Sequence, residues 1–209
     1  MIDTPITLGL LVANVAVSGY TLMSDPSLLR DLSFRPVRII RHGEYHRLLT
    51  SGFVHTGLTH LAFNMITLFF FGPLLEGVLG PGRFLALYFG SEICAQAVTF
   101  ARHRNDESYA SVGASGAISG VLFAFALFEP FAMLYVFLVI PMPAIVFAFL
   151  YVAISIYALD QPASGPMGQI AHEAHLGGAI GGVIITLLLA PIALQLFLQK
   201  IQQQINSLL

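Results

Sequence analysis

The sequence predicts an all-α, polytopic membrane protein, with six transmembrane spans in one bundle. Three observations carry that prediction. The chain has 209 residues, of which 56% are hydrophobic and only 10% charged, against about 25% charged in soluble domains. Its mean hydropathy is +0.82. Its apolar residues fall in long stretches separated by polar or Gly/Pro-rich loops. Such stretches form helices, because backbone groups in hydrocarbon need partners within their own segment.

The spans follow in order. Met1-Ile2-Asp3-Thr4-Pro5 carries no basic cluster, so the first apolar run, 6–23, reads as a retained span and not a cleaved signal. A polar, arginine-bearing stretch occupies 24–57 and is too long for a tight turn. The second span is 58–79 and closes at Gly80-Pro81-Gly82; the third is 83–101. Arg102-His103-Arg104-Asn105-Asp106-Glu107 makes a charged loop. The fourth span runs from Gly113 to Phe128 and ends at Glu129-Pro130. Residues 131–159 are almost wholly apolar but contain Pro141-Met142-Pro143. We read 131–140 as a membrane-embedded or interfacial connection and 143–159 as the fifth span. Asp160 to Pro166 is a loop by its Gly, Pro and Ser content, and 169–190 is the sixth span.

These spans make residues 1–190 one membrane domain. Residues 191–209 form a short amphipathic tail, with Leu194, Phe197, Leu198, Ile201, Ile205 and Leu208 at helical spacing. That pattern fits a helix lying at the interface. The net charge of −2 gives no nucleic-acid footprint, and the single cysteine, Cys94, excludes an intrachain disulfide. Trp is absent, so interfacial anchoring rests on Tyr and Phe. The sequence leaves the oligomeric state open.

Lipid strongly penalises polar side chains, so those inside the spans need a reason. Gly113-Ala114-Ser115-Gly116 opens the fourth span, and His175 stands near the start of the sixth, on the same side of the membrane. A serine is a weak nucleophile until an adjacent base activates it. Ser115 to Glu129 makes about 22 Å of helix, which sets Ser115 roughly 8 Å below the near interface of a 30 Å core. Gly116 and Gly120 on one helix, and Gly178 and Gly182 on the other, are each four apart and form flat faces that let the helices touch. Acyl transfer also needs donors for the developing oxyanion. His60 and Asn64 lie on one face of the second span and supply such donors. The Ser115 N–H at a helix start is another, and Gly113 belongs to the same oxyanion and substrate-binding region.

At these residues the chain resembles the rhomboid family of intramembrane serine proteases. The resemblance runs from about residue 5 to 190. It covers, in order, Glu44-Tyr45-His46-Arg47-Leu48-Leu49-Thr50, Phe53-Val54-His55, His60-Leu61-Ala62-Phe63-Asn64, Gly72-Pro73-Leu74-Leu75-Glu76, Arg83-Phe84-Leu85, Gly113-Ala114-Ser115-Gly116 and His175-Leu176-Gly177-Gly178. It implies a six-helix bundle and a Ser115–His175 dyad with no acidic third member. It places His60 and Asn64 in the oxyanion region and packs the long first loop sideways at the membrane surface. The substrates it implies are transmembrane segments of other proteins, and the location is the bacterial inner membrane, with both termini cytoplasmic. Two positions depart from the family pattern. His46 precedes Arg47 where a Trp is common. Ser119 stands one turn after Ser115, where many members carry an aromatic residue that packs on the catalytic histidine.

The remaining polar residues fit this reading. His172 and His175 are three apart, whereas the zinc signature needs two His four apart beside a Glu, so no metal or cofactor is expected. His172 reads as a rim residue and His55 as a hydrogen-bonding residue near the site. His42, His46 and His103 need no special role. Glu76 and Glu92 read as helix-pairing or loop-capping groups away from Ser115 in depth. An inactive relative that only binds membrane clients would have lost the serine or histidine, and a transporter would show repeated halves. Orientation draws two opposed arguments. Seven of nine cations lie in the first and third loops, which by the positive-inside rule places the site mouth in the cytoplasm. The resemblance implies the reverse, and we follow it.

Overall fold

A computed structural model describes residues 3–136, 139–159 and 171–208. The loop read at 160–166 and the start of the sixth span lie outside them. Helix α1 spans Pro5–Met23, then come α2 (Ser27–Leu32), α3 (Pro36–His42), α4 (Arg47–Thr50) and a 3-10 turn at Ser51–Phe53. Next are α5 (Leu58–Leu79), α6 (Pro81–His103) and α7 (Ser115–Phe128). Strands β1 (Met133–Val136) and β2 (Ile140–Pro143) precede α8 (Ala144–Ala158), α9 (His172–Leu189) and α10 (Ile192–Leu208).

Four helices, α1, α5, α6 and α9, are long and apolar enough to cross a membrane. Helices α7 and α8 are shorter apolar helices of 14 and 15 residues. The fold is therefore helical and multi-span, and among the described residues four helices, not six, reach full spanning length. Within the connection read at 131–140, the described residues carry strand structure. The strands form an antiparallel hairpin in which Met133 faces Pro143 and Val136 faces Ile140. Proline lacks the N–H a helix needs but is tolerated at a strand edge. The apolar run is therefore diverted into a hairpin until Pro143 has passed.

Buried carboxylates tie helix ends together. Glu76 on α5 accepts from Ile6 N (3.0 Å), Thr7 N (2.7 Å) and Thr7 Oγ1 (2.7 Å). These are first-turn N–H groups of α1, which no intrahelical carbonyl can reach. At the centre lies α7, with nine of its residues buried. Helix α8 is loose by comparison, with only Ala144, Ser155 and Ala158 buried.

The first loop is a folded unit. Its organiser is Arg47, whose side chain is 7% exposed. Arg47 donates to the carbonyls of Arg30 (3.1 Å) and Ser33 (2.8 Å) and to Glu44 Oε2 (2.5 Å). The loop that lacks an aromatic at 46 is thus held by charge-assisted bonds, which are roughly twice as strong as neutral ones. Glu44 also accepts from Arg38.

Hydrogen bonds from Arg38 first and Arg47 second hold the Glu44 carboxyl down at about 2, against 4.5 ordinarily. A carboxyl depressed by folding stabilises the fold above its unfolded pKa and loses that contribution as pH falls through the folded one. Wild-type protein should melt above Glu44→Gln at neutral pH, and the gap should close between about pH 4.5 and 2. Thermal melts in detergent across that range check this; a gap that does not change with pH would refute it.

Candidate active site

Three helices begin at one end of the bundle. Helix α7 enters through Gly113, whose φ of 116° is open to glycine but not to side-chain-bearing residues. The fourth span therefore becomes helical at Ser115, two residues later than the sequence boundary. The same glycine admits a neighbour: a Cβ there would lie 2.5 Å from His60 Cε1 and 2.7 Å from Nε2. So the His60 ring, on the first turn of α5, rests against the backbone just before Ser115.

Accounting for N–H groups in this turn singles out two. Gly113 N bonds Ser51 O (2.9 Å), Ala114 N reaches His55 Nε2 (3.4 Å), Ala117 N bonds Glu92 Oε2 (3.0 Å) and Ile118 N bonds Ala114 O (2.9 Å). Among the described residues, Ser115 N–H and Gly116 N–H take no partner. They are the donors a helix N-terminus offers to an anion.

His55 is fully buried. Because Nε2 accepts from Ala114, the other ring nitrogen carries the proton and donates to Ser18 Oγ (2.8 Å), which donates to Phe53 O (2.9 Å). Burial, and then the charge of His60, lower the His55 pKa to about 3. It is a neutral strut between α1 and the start of α7. His60 meets it edge-on at 4.9 Å between centroids and lies 3.3 Å from Thr56 Oγ1 through Nδ1. Asn64 is buried and spends one amide hydrogen on His60 O (3.0 Å), which leaves the second.

Helix α9 presses on α7 through glycine. A Cβ on Gly178 would overlap the Gly116 carbonyl, and one on Gly182 would overlap Gly120. A second glycine face, Gly177 and Gly181, meets Cys94 on α6 in the same way. The paired doublets at 177–178 and 181–182 are the sequence signal for two faces, of which the reading used one. Among the described residues no hydrogen bond joins Ser115 to His175, and such bonds are often long until substrate is bound. The His175 ring instead stacks on Tyr151 of α8, with centroids 5.7 Å apart and an interplanar angle of 24°. His172 meets it edge-on at 5.9 Å.

Glu92 corrects the depth reading. It lies beside Ser115, capping Ala117 N and accepting from Gln96 Nε2 (2.7 Å). With Gln96, Gly113, Ser115, Ala171 and Ala174 it lines a small cavity of about 10 Å³, room for one water. The signal was a carboxylate and an amide one turn apart in an apolar span. His103 also has a role the sequence did not reveal. It stacks on Tyr109 at 3.7 Å and lies 3.3 Å from Glu173, while Tyr109 OH donates to Glu173 at 2.7 Å. Burial, then Glu173, push the Tyr109 hydroxyl above its ordinary pKa, so it stays a donor. This clamp fixes the start of α9. No group of three or more His, Cys, Asp or Glu that could hold a metal occurs among the described residues.

The family described as the rhomboid domain matches residues 42–192. The chain is similar to RHOMBOID-like protein 12, mitochondrial, of Arabidopsis thaliana, at 27% identity over 85% of this chain and 56% of that protein. It is similar to rhomboid protease GluP of Bacillus subtilis at 42% identity, over 40% of this chain and 16% of that one. Over 84% of its length it is 31% identical to 46% of the human presenilin-associated rhomboid-like protein, mitochondrial. The matches therefore span about half the length of these relatives, or less.

The glycine seam makes a stability prediction. Gly178→Ala should lower the melting temperature, because even one methyl collides with the Gly116 backbone; overpacking of this kind costs about 1–3 kcal/mol. Gly9→Ala on α1, where nothing lies within 4 Å, should leave it unchanged or raise it. Melts of both variants check the contrast, and equal behaviour would remove the seam.

Proposed function

The chain belongs to the rhomboid family, and from that premise we propose that it is an intramembrane serine endopeptidase cleaving transmembrane segments of other membrane proteins. The observation that carries the reading is the α7–α9 glycine contact. It sets the Ser115 turn beside the His175 turn, at the end of the bundle where His60 rests on Gly113. In this reading the six apolar helices are six spans. Residues 1–190 are the protease domain and 191–209 an appended amphipathic helix.

Ser115 Oγ attacks the scissile carbonyl while His175 takes its proton. The carbonyl oxygen becomes an oxyanion, received by Ser115 N–H and side-chain donors of His60 and Asn64. Gly113 keeps the oxyanion region open. His175 then gives its proton to the leaving amine, the new amino terminus of the departing fragment, and an ester joins the carbonyl carbon of the amino-terminal fragment to Ser115. Water from the Glu92–Gln96 cavity enters, loses a proton to His175 and displaces the serine.

Ser115→Ala and His175→Ala should each abolish cleavage of a model transmembrane substrate while leaving the melting temperature near wild type. His60→Ala and Asn64→Ala should lower kcat by roughly ten- to a thousand-fold with little change in KM. A fluorophosphonate should label Ser115, and EDTA should leave turnover unchanged. Full turnover in either dyad variant, or chelator inhibition reversed by zinc, would overturn the assignment.

We place the protein in a bacterial plasma membrane with the site mouth outside, supported by the likeness to the Bacillus subtilis protease. In Cys94→Ser protein carrying Asn105→Cys, an impermeant maleimide should label intact cells. Labelling only after lysis would reverse the orientation.

A further inference from the structure

His175 as a base must present one ring nitrogen to the serine, and on its own helix the ring meets the His172 ring edge-on at 5.9 Å. The group that faces the ring is Tyr151, from the middle of α8, at 5.7 Å and near-parallel. Tyr151 also meets Phe123 of α7 at 5.7 Å and Phe147, one turn before it, at 5.6 Å. Offset aromatic stacks at such separations are favourable beyond simple area burial.

The tyrosine hydroxyl is fixed in turn. Ser119 Oγ lies 2.7 Å from Ser115 O, which only accepts, so the single Ser119 hydroxyl hydrogen goes there. The contact between Ser119 Oγ and Tyr151 OH, 2.5 Å, must then have the tyrosine as donor. One chain of bonds thus runs from α8, through Ser119, to the backbone carbonyl of the residue that carries the nucleophile. The same tyrosine ring supports the base.

We infer that Tyr151 is the positioning residue for His175, and that it makes the dyad's alignment depend on where α8 sits. This rests on the Ser115–His175 reading above. The inference resolves the small residue at 119. A large side chain one turn after Ser115 would occupy the place of the Tyr151 hydroxyl, so the platform comes from the neighbouring helix and Ser119 is its anchor. Helix α8 has three buried residues; backbone bonds hold its start, from Ala144 N to Ala132 O and Ile145 N to Pro130 O, and its middle meets α7 and α9 through Tyr151. A displacement of α8 therefore removes the platform from the histidine, and a misplacement of about 1 Å can cost a hundredfold in rate.

The test compares Tyr151→Phe, Tyr151→Leu and wild type by fluorophosphonate labelling rate, by kcat and KM on a transmembrane substrate, and by melting temperature. Tyr151→Phe keeps the ring and should retain kcat within about threefold. Tyr151→Leu keeps apolar bulk without a ring and should lose at least tenfold in both kcat and labelling rate, with KM and melting temperature close to wild type. Leu matching Phe in kcat would overturn the inference, because filling space would then suffice. Phe failing as badly as Leu would overturn it too, since the stack would carry nothing. If wild-type Ser115 takes no label and shows no cleavage, the protease reading itself falls, and the inference with it.

Discussion

Close approach of α9 to its neighbours is the constraint on which the rest depends. In lipid there is little hydrophobic gain in bringing two apolar helices together, so van der Waals contact between backbones must do it. Helix α9 presents glycine on two faces, to α6 through 177 and 181 and to α7 through 178 and 182. Three backbones thereby pack at distances that any side chain would prevent. The polar residues above this seam inherit its geometry. Ser115 precedes Gly116 by one residue and His175 precedes Gly178 by three, so helix periodicity carries both to the same end.

Polar groups beneath the membrane surface are here used as helix caps. Glu76 closes the first turn of α1 and Glu92 the first turn of α7, and each satisfies donors that have no intrahelical acceptor. A carboxylate is favoured there by the helix dipole as well as by the hydrogen bonds. The caps also leave a pattern of omission. At α7 the N–H groups of 113, 114, 117 and 118 are taken, so the free donors are confined to 115 and 116. Buried N–H groups are rarely left without partners, so two such groups in adjacent residues stand out in this turn.

Apolar length and helix punctuation were legible in the sequence because they are local. The second span and the helix end at Phe128 agree with the structure to the residue. The small residues at 116, 120, 178 and 182 were legible too, since a four-residue spacing maps directly to one helix face. The hairpin was not: two prolines in an apolar run stop a helix but do not say what replaces it. The place of Glu92 beside the Ser115 turn was not legible, because it depends on how α6 packs against α7 and no local pattern encodes that packing. Tyr151 and the Tyr109–Glu173 clamp join residues 24 and 64 positions apart from their partners in sequence, and no periodicity links such pairs.

The short helices explain why the site lies below the surface. Helix α7, at about 21 Å, falls short of a 30 Å hydrocarbon core. At its far end Glu129 pairs with Lys200 of α10, at 2.5 Å, and a charged pair with an exposed carboxylate and a partly exposed ammonium is favoured near water. If that end sits at the interface, the missing length falls at the other, which would start the α7 helix at Ser115 within the hydrocarbon. The first turns of α5, α7 and α9 then converge there, each with its positive dipole end toward the same small volume. A negative charge placed in that volume would meet three helix termini and, among the described residues, two uncommitted backbone donors. In a medium of low dielectric each of these counts for more than it would in water. The partial burial of Ser115 thus also strengthens the field that an anion placed there would meet. The cost of a polar site in lipid is offset by caps, struts and glycine contacts that leave few polar groups unpaired.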